Sequence, residues 1–400
     1  MCEREGSEEQ SGRNTEGIGS RTARFSELPE MTELSGLCSC ARVPLVRAVG
    51  MVLAHDITEI RQNEFKGRAF KKGHVVRRED ICHLQRLGKE HLFVLSVGDD
   101  EMHEDDAAYA LASLLMGRGV AMEGEPREGK INIIAAKDGL LKINRDILFQ
   151  LNLFGEVMCA TLHTNTMVRR GQVVAGTRAI PLVVKKKVID EAKRIAGSDG
   201  GTIEVKELRR PRVGIVITGN EVYHGRVKDA FAPIIKKKIK EVNGKIAGIY
   251  YAPDDELVIE ARLRELMDSG ADLLITTGGM SVDPDDVTRF AIKRLGAKDI
   301  IYGSAVLPGA MFLVAYIEKT QGARRIEQKK DSHCPMPRAL IPVLGIPACG
   351  MYHKTTIFDL ILPRILAGEA IGRRELAELG HGGLCLNCHK CRYPICPFGK

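Results

Sequence analysis

Between residues 212 and 296 the hydrophobic pattern repeats three times. "RVGIVIT" (212–218) is an apolar run with no polar interruption, where a strand with one wet face would alternate. It therefore predicts a strand buried on both faces. "APIIKKKIKEVNG" (232–244) then places its apolar residues at helical spacing and ends in glycine. "IAGIYYA" and "ELVIEARLRELMDSG" repeat the pair, and "DLLITTGG" and "PDDVTRFAIKRLG" repeat it again. Strand and helix alternating at this spacing predict a mainly parallel sheet with right-handed crossovers, and a ligand crevice outside the carboxyl ends of its strands. Two further strands, "DIIYGSAV" and "MFLVAYI", precede "ALIPVLGIPACGMYHKTTIFDLILPRIL", which reads as strand, Gly/Pro loop and closing helix.

The pattern before residue 210 is less regular. "INIIAA" at 131, "GQVVAG" at 171 and "GTIEVKEL" at 201 predict strands, and "DDAAYALASLLMGRG" at 105 a helix with an acidic first turn. The division that follows is a flexible extension over 1–40, an irregular α/β and β-rich region over 41–210 with room for two subdomains, an α/β domain over 211–370, and a cysteine-rich tail over 371–400. The first forty residues lack periodicity and are too polar to bury a core.

Composition narrows the function classes. The chain has 400 residues, is 44% apolar and 28% charged, and carries a net charge of +7. No apolar run approaches the roughly 20 residues of a membrane helix, and no apolar segment near the start reads as a secretory signal. A cytoplasmic protein without membrane or nucleic-acid partners is expected, because the basic residues sit in short clusters such as "KKK" at 185 and "KKKIK" at 236, two of them on solvated helix faces. A small polyanion uses such charge more economically.

The crevice chemistry follows from "TGNEV" and "DLLITTGGMSVDPDD". Thr277, Gly278, Gly279 and Ser281 lie where a strand passes into a helix, so hydroxyls and bare main-chain N–H groups face an anion there. Thr218, Gly219 and Glu221 occupy the neighbouring strand end. Asp283, Asp285 and Asp286 bring negative charge beside this cradle, which calls for a hard cation such as Mg2+ between them. Asp-Pro-Asp-Asp is equally a good first turn for the following helix.

These segments, with "VLPGAMF", resemble the molybdopterin-binding domain, and their order resembles the molybdopterin molybdenumtransferases of the MoeA and gephyrin E-domain type. The resemblance spans 211–367 and, through "AVGMVLAHDI" and "RAFKKGHVVRREDICHLQRLGKEHLFV", extends over 43–210. It implies a three-layer α/β domain that binds molybdopterin, with molybdate and Mg2+ as further ligands. The implied reaction inserts molybdenum into adenylylated molybdopterin and releases AMP, in a homodimer that works beside other molybdenum-cofactor biosynthesis proteins. Residue by residue, Glu221, Asp272 and Asp286 fall on catalytic carboxylates, Glu221 and Asp286 being the Mg2+ ligands. Thr218, Gly219, Thr277, Gly278, Gly279, Ser281, Pro308 and Gly309 fall on the pterin and phosphate loops.

The chain also departs from that family. "NEFKGRAFKKGHV" stands where a Ser-Ala-Met-Asp-Gly-Tyr-Ala stretch is expected, Leu307 and Met311 where lysines flank Pro-Gly, and "GIPACG" where Leu-Pro-Gly-Asn-Pro is expected. Two functions of different class follow: a divergent molybdenumtransferase, and a non-catalytic molybdopterin or molybdenum-cofactor carrier or sensor. Competence-damage-type nucleotide hydrolases, which share the domain, are a third.

The tail "CLNCHKCRYPICPFGK" is the remaining feature. Cys385, Cys388, Cys391 and Cys396 have the spacing C-x2-C-x2-C-x4-C-P, which suits an S4 site for Zn2+ or an iron–sulfur cluster.

Overall fold

A computed structural model describes residues 40–61, 65–95, 98–197, 201–280, 287–318 and 340–400. The expected flexible extension, apart from Cys40, lies outside them.

Two cores precede residue 210. The first is small. Strands Cys40–Pro44, His91–Leu95 and Val52–Leu53 form an antiparallel sheet beside the hairpin Ile57–Arg61/Phe65–Phe70. With the helix Asp80–Arg86 they enclose Leu53, Leu84, Leu92 and Val94. In the second core the helix Glu104–Leu115 lays Ala107, Leu111 and Leu115 over an antiparallel sheet. That sheet is formed by Val157–Thr161, Val173–Ala179, Lys130–Ala135 and Val120–Arg127. His103 caps the helix by accepting from Asp105 N–H, so this acidic stretch is a helix start. Glu104, only 2% exposed, is ion-paired with Lys72, which ties the second core to the first.

From Arg212 the expected parallel sheet is present. Its strands are β1 (Arg212–Thr218), β2 (Lys245–Ala252), β3 (Leu273–Thr277), β4 (Lys298–Tyr302), β5 (Leu313–Glu318) and β6 (Leu340–Ile346). They lie in the order β2-β1-β3-β6-β5-β4. The first four neighbours are parallel, and β5 runs antiparallel to both β6 and β4. The ends of β1, β3, β4 and β6 therefore share one edge.

The absence of polar interruptions in β1 is explained by what covers it. Val213, Ile215 and Ile217 face one core, shared with α1 (Phe231–Glu241) and α4 (Ile357–Leu366). Val216 faces the other, shared with α2 (Glu256–Asp268) and α3 (Thr288–Arg294). The result is a three-layer α/β domain. At about 25 cal/mol per Å2 of apolar surface, two covered faces supply most of the stabilisation such a strand can contribute. The tail packs into the same domain. Leu376 on α5 (Arg373–Glu378) and Phe398 join the first of these two cores, at 1% and 3% exposure.

Candidate functional site

At the shared edge, β1 and β3 end side by side, with Ile217 paired to Thr277. The Thr218 hydroxyl donates to the Thr277 carbonyl (2.8 Å), and the Thr288 hydroxyl from α3 donates to the Gly278 carbonyl (3.3 Å). Two threonines thus pin the turn that leaves β3. Gly278 and Gly279 adopt φ of +79° and +56°, and there is no room for a Cβ at either: one at Gly278 would stand 2.6 Å from the Thr218 carbonyl oxygen. Only glycine meets both demands without strain. The Tyr302 hydroxyl at the end of β4 donates to the Met280 carbonyl, which fixes the far side of the same turn.

The expected site residues divide three ways. Thr218, Gly219, Glu221, Thr277, Gly278 and Gly279 are brought together at this edge. Pro308 and Gly309 lie in the β4–β5 loop on the same edge, where Ile357 N–H donates to the Pro308 carbonyl and a Cβ on Gly309 would stand 2.4 Å from the Ile357 side chain. Glu221 is exposed, in a single helical turn (Asn220–Tyr223) directly after β1. Thr218 and Thr277 are buried. The Thr276 and Thr277 hydroxyls have no hydrogen-bond partner among the described residues. Ser281 and Asp286, with Asp283 and Asp285, lie outside the described residues.

Asp272 stands apart from these residues. It stands at the opposite, amino-terminal end of β3, where its Oδ1 accepts from the Arg209 guanidinium (2.7 Å) and from Arg212 N–H (2.9 Å). A five-residue strand at about 3.3 Å per residue separates it from the crevice. Its position next to the motif in sequence says nothing about which end of the strand it occupies. It is a clamp that fastens the entry of β1 to β3, at the end away from the crevice.

Sequence reasoning passed over Asp254 and Tyr302. Asn220 N–H donates to Asp254 (2.9 Å), and Asp254 N–H donates back to Asn220 Oδ1 (3.2 Å), so the loops after β1 and β2 are fastened together. The available signal was "APDDE", an Asx-rich turn directly after a strand. Nothing local marks Tyr302.

Among the described residues no group of three His, Cys, Asp or Glu side chains converges on a single metal position. Asp286, expected to share Mg2+ with Glu221, lies outside the described residues. The four tail cysteines do share one place, around a cavity of about 750 Å3. The Cys391 thiol is held below its ordinary value by its hydrogen bond with Thr355, then by Tyr393 N–H and the Lys354 ammonium.

Residues 214–366 match the model of a family described as a probable molybdopterin binding domain. This segment is thus similar to molybdopterin-binding domains. Residues 42–96 match a domain of unknown function. A CinA-like protein of Mycobacterium avium is 39% identical over 95 residues, covering 24% of this chain and 22% of its own. The CinA-like protein of Mycobacterium tuberculosis is 38% identical over 90 residues, 22% of this chain and 21% of its own. The chain thus spans about a fifth of the length of these relatives. Among solved structures, the tungsten cofactor synthesizing protein MoaB from Pyrococcus furiosus aligns with 40% of this chain and 99% of its own, at 18% identity and a TM-score of 0.29. A molybdenum cofactor biosynthesis protein from Pyrococcus furiosus covers 84% of this chain and 64% of its own, at 14% identity and a TM-score of 0.23. No helix among the described residues is long and apolar enough to cross a membrane.

Proposed function

We propose that this protein binds molybdopterin, free or adenylylated, at the carboxyl edge of its parallel sheet, as a carrier or sensor in molybdenum-cofactor metabolism. The observation that carries this reading is the glycine turn after β3, pinned by Thr218 and Thr288 and too tight for any side chain. Such a turn lets a main chain approach a phosphate closely. Binding is favoured over metal transfer because Asp272 faces away and hydrophobic Leu307 and Met311 occupy the expected lysine positions. A homodimer in the cytoplasm is part of the proposal.

The second reading, molybdenum insertion into adenylylated molybdopterin, rests on one observation. Glu221 presents an exposed carboxylate at the same edge. The test separates the two. Purified full-length protein is titrated with molybdopterin, then given adenylylated molybdopterin, molybdate and Mg2+ in a single-turnover assay that follows AMP. Binding without AMP supports the carrier. AMP release that Glu221→Gln abolishes supports the transferase. Absence of binding overturns both.

A further inference from the structure

The four tail cysteines stand apart from everything the crevice requires. They surround one cavity of about 750 Å3, whose remaining wall is the Tyr352–Thr355 stretch of the loop leaving β6. The tail is a folded cap rather than a tether. Cys385 N–H donates to the Leu307 carbonyl (2.8 Å), and Leu307 N–H donates to the Gly383 carbonyl (2.8 Å). His353 Nδ1 meets Asn387 Oδ1 at 3.0 Å, and the Thr355 hydroxyl meets Cys391 Sγ at 3.4 Å. Phe398 anchors the end of the cap in the core. All four thiols are free of disulfides.

We infer that this cavity houses a [4Fe–4S] cluster ligated by Cys385, Cys388, Cys391 and Cys396. The alternative for four thiolates is a tetrahedral zinc ion. Zinc needs each sulfur about 2.3 Å from one centre, and so the sulfurs about 3.8 Å from one another. Here all four cysteines line one space of about 750 Å3, a volume rather than a point. A cubane accepts one thiolate at each corner iron, which calls for sulfurs spread around a volume rather than gathered at a point.

The spacing agrees. C-x2-C-x2-C is the ferredoxin run, in which the cysteine preceding proline serves a second cluster. Here that cysteine, Cys396, returns to the same cavity as the other three. One cluster therefore has its full ligand set from a single twelve-residue stretch of chain, 385–396. Charge agrees as well. A cubane held by four thiolates is a net anion, and Lys354, Lys390 and Arg392 line the cavity beside it. The cavity also lies on the same sheet edge as the candidate crevice, because its far wall is the loop that leaves β6. The cluster would thus sit beside whatever ligand that edge binds.

The test needs no pterin and no activity. Full-length protein is purified without oxygen, incubated with ferrous iron, sulfide and thiol, desalted, and analysed for iron and acid-labile sulfide. About four of each per chain are expected, with a visible absorption that dithionite bleaches and an EPR signal in the reduced form. The Cys388→Ser, Cys391→Ser double variant should retain about tenfold less of both, and Cys82→Ser, on the helix Asp80–Arg86 and not lining the cavity, should retain the wild-type amount. Far-UV circular dichroism reports whether the double variant is folded; if it is not, the wild-type stoichiometry decides alone. Two irons per chain, one tightly held Zn2+ in a parallel incubation with no sulfide retained, or no bound metal would each overturn the proposal.

Discussion

Glu369, just past the end of α4, holds two domains together through charge. Its carboxylate lies 2.7 Å from the Lys142 ammonium and 2.9 Å from the Arg364 guanidinium. Lys142 belongs to the strand Gly139–Ile143 of the second core, whereas Arg364 belongs to α4. The three side chains are 22%, 12% and 10% exposed in the order Lys142, Glu369, Arg364. Glu369→Gln would leave two cations facing each other in a largely dry interface. Removing one partner of a buried pair costs about 3–5 kcal/mol. Lys142 keeps a second partner, Asn165 Oδ1 at 2.7 Å, so the lower end applies: about 3 kcal/mol, or roughly a hundredfold in the opening equilibrium. Separate domains need not unfold together, so the loss is best read locally, as faster hydrogen exchange in peptides covering 139–143 and 357–366. Burial pushes the Glu369 carboxyl up, but Lys142 and Arg364 more than offset this and hold it below the ordinary 4.5. A carboxylate with a depressed folded value contributes stability that is complete above its unfolded value and is lost as pH falls through the folded one. The gap between wild type and Glu369→Gln should therefore be full at pH 7 and shrink as pH falls below the ordinary 4.5. A change under about 1 kcal/mol at pH 7, or a gap that persists in acid, would refute the reasoning.

Gly278→Ala should weaken molybdopterin binding by about tenfold or more and lower the melting temperature, since it forces a Cβ against the Thr218 carbonyl in a left-handed turn; equal affinity in the folded variant would remove the turn from the site. Asp272→Asn should leave that affinity unchanged while loosening exchange at the start of β1, and a lost affinity would reinstate Asp272 as a site residue. Phe398→Ala should cost about 3 kcal/mol and free the cap, read as faster alkylation of Cys388 and Cys391 in metal-free protein; an unchanged rate would mean that Phe398 does not anchor it.

Much of this molecule is determined by sequence alone, because its strongest signals are local. A strand covered on both faces cannot carry polar side chains, so "RVGIVIT" and "DLLITT" announce themselves, and the glycines of "TTGG" mark a turn that a Cβ would block. The spacing of the tail cysteines is likewise local. What the tertiary structure decided is everything that depends on the direction of strands and on distant partners. Asp272 and Thr277 are five residues apart in sequence yet at opposite ends of β3, and only the sheet assigns one to the crevice and the other to the clamp. Thr218 looks like a ligand residue until its hydroxyl is found occupied by the neighbouring strand's carbonyl. Cys396 reads as the ligand of another cluster until the chain folds it back to the same cavity, and Glu369 finds Lys142 more than two hundred residues away. Periodicity reports which face of an element is dry; it carries no record of which end of a strand meets solvent, or of what a buried charge will find opposite it.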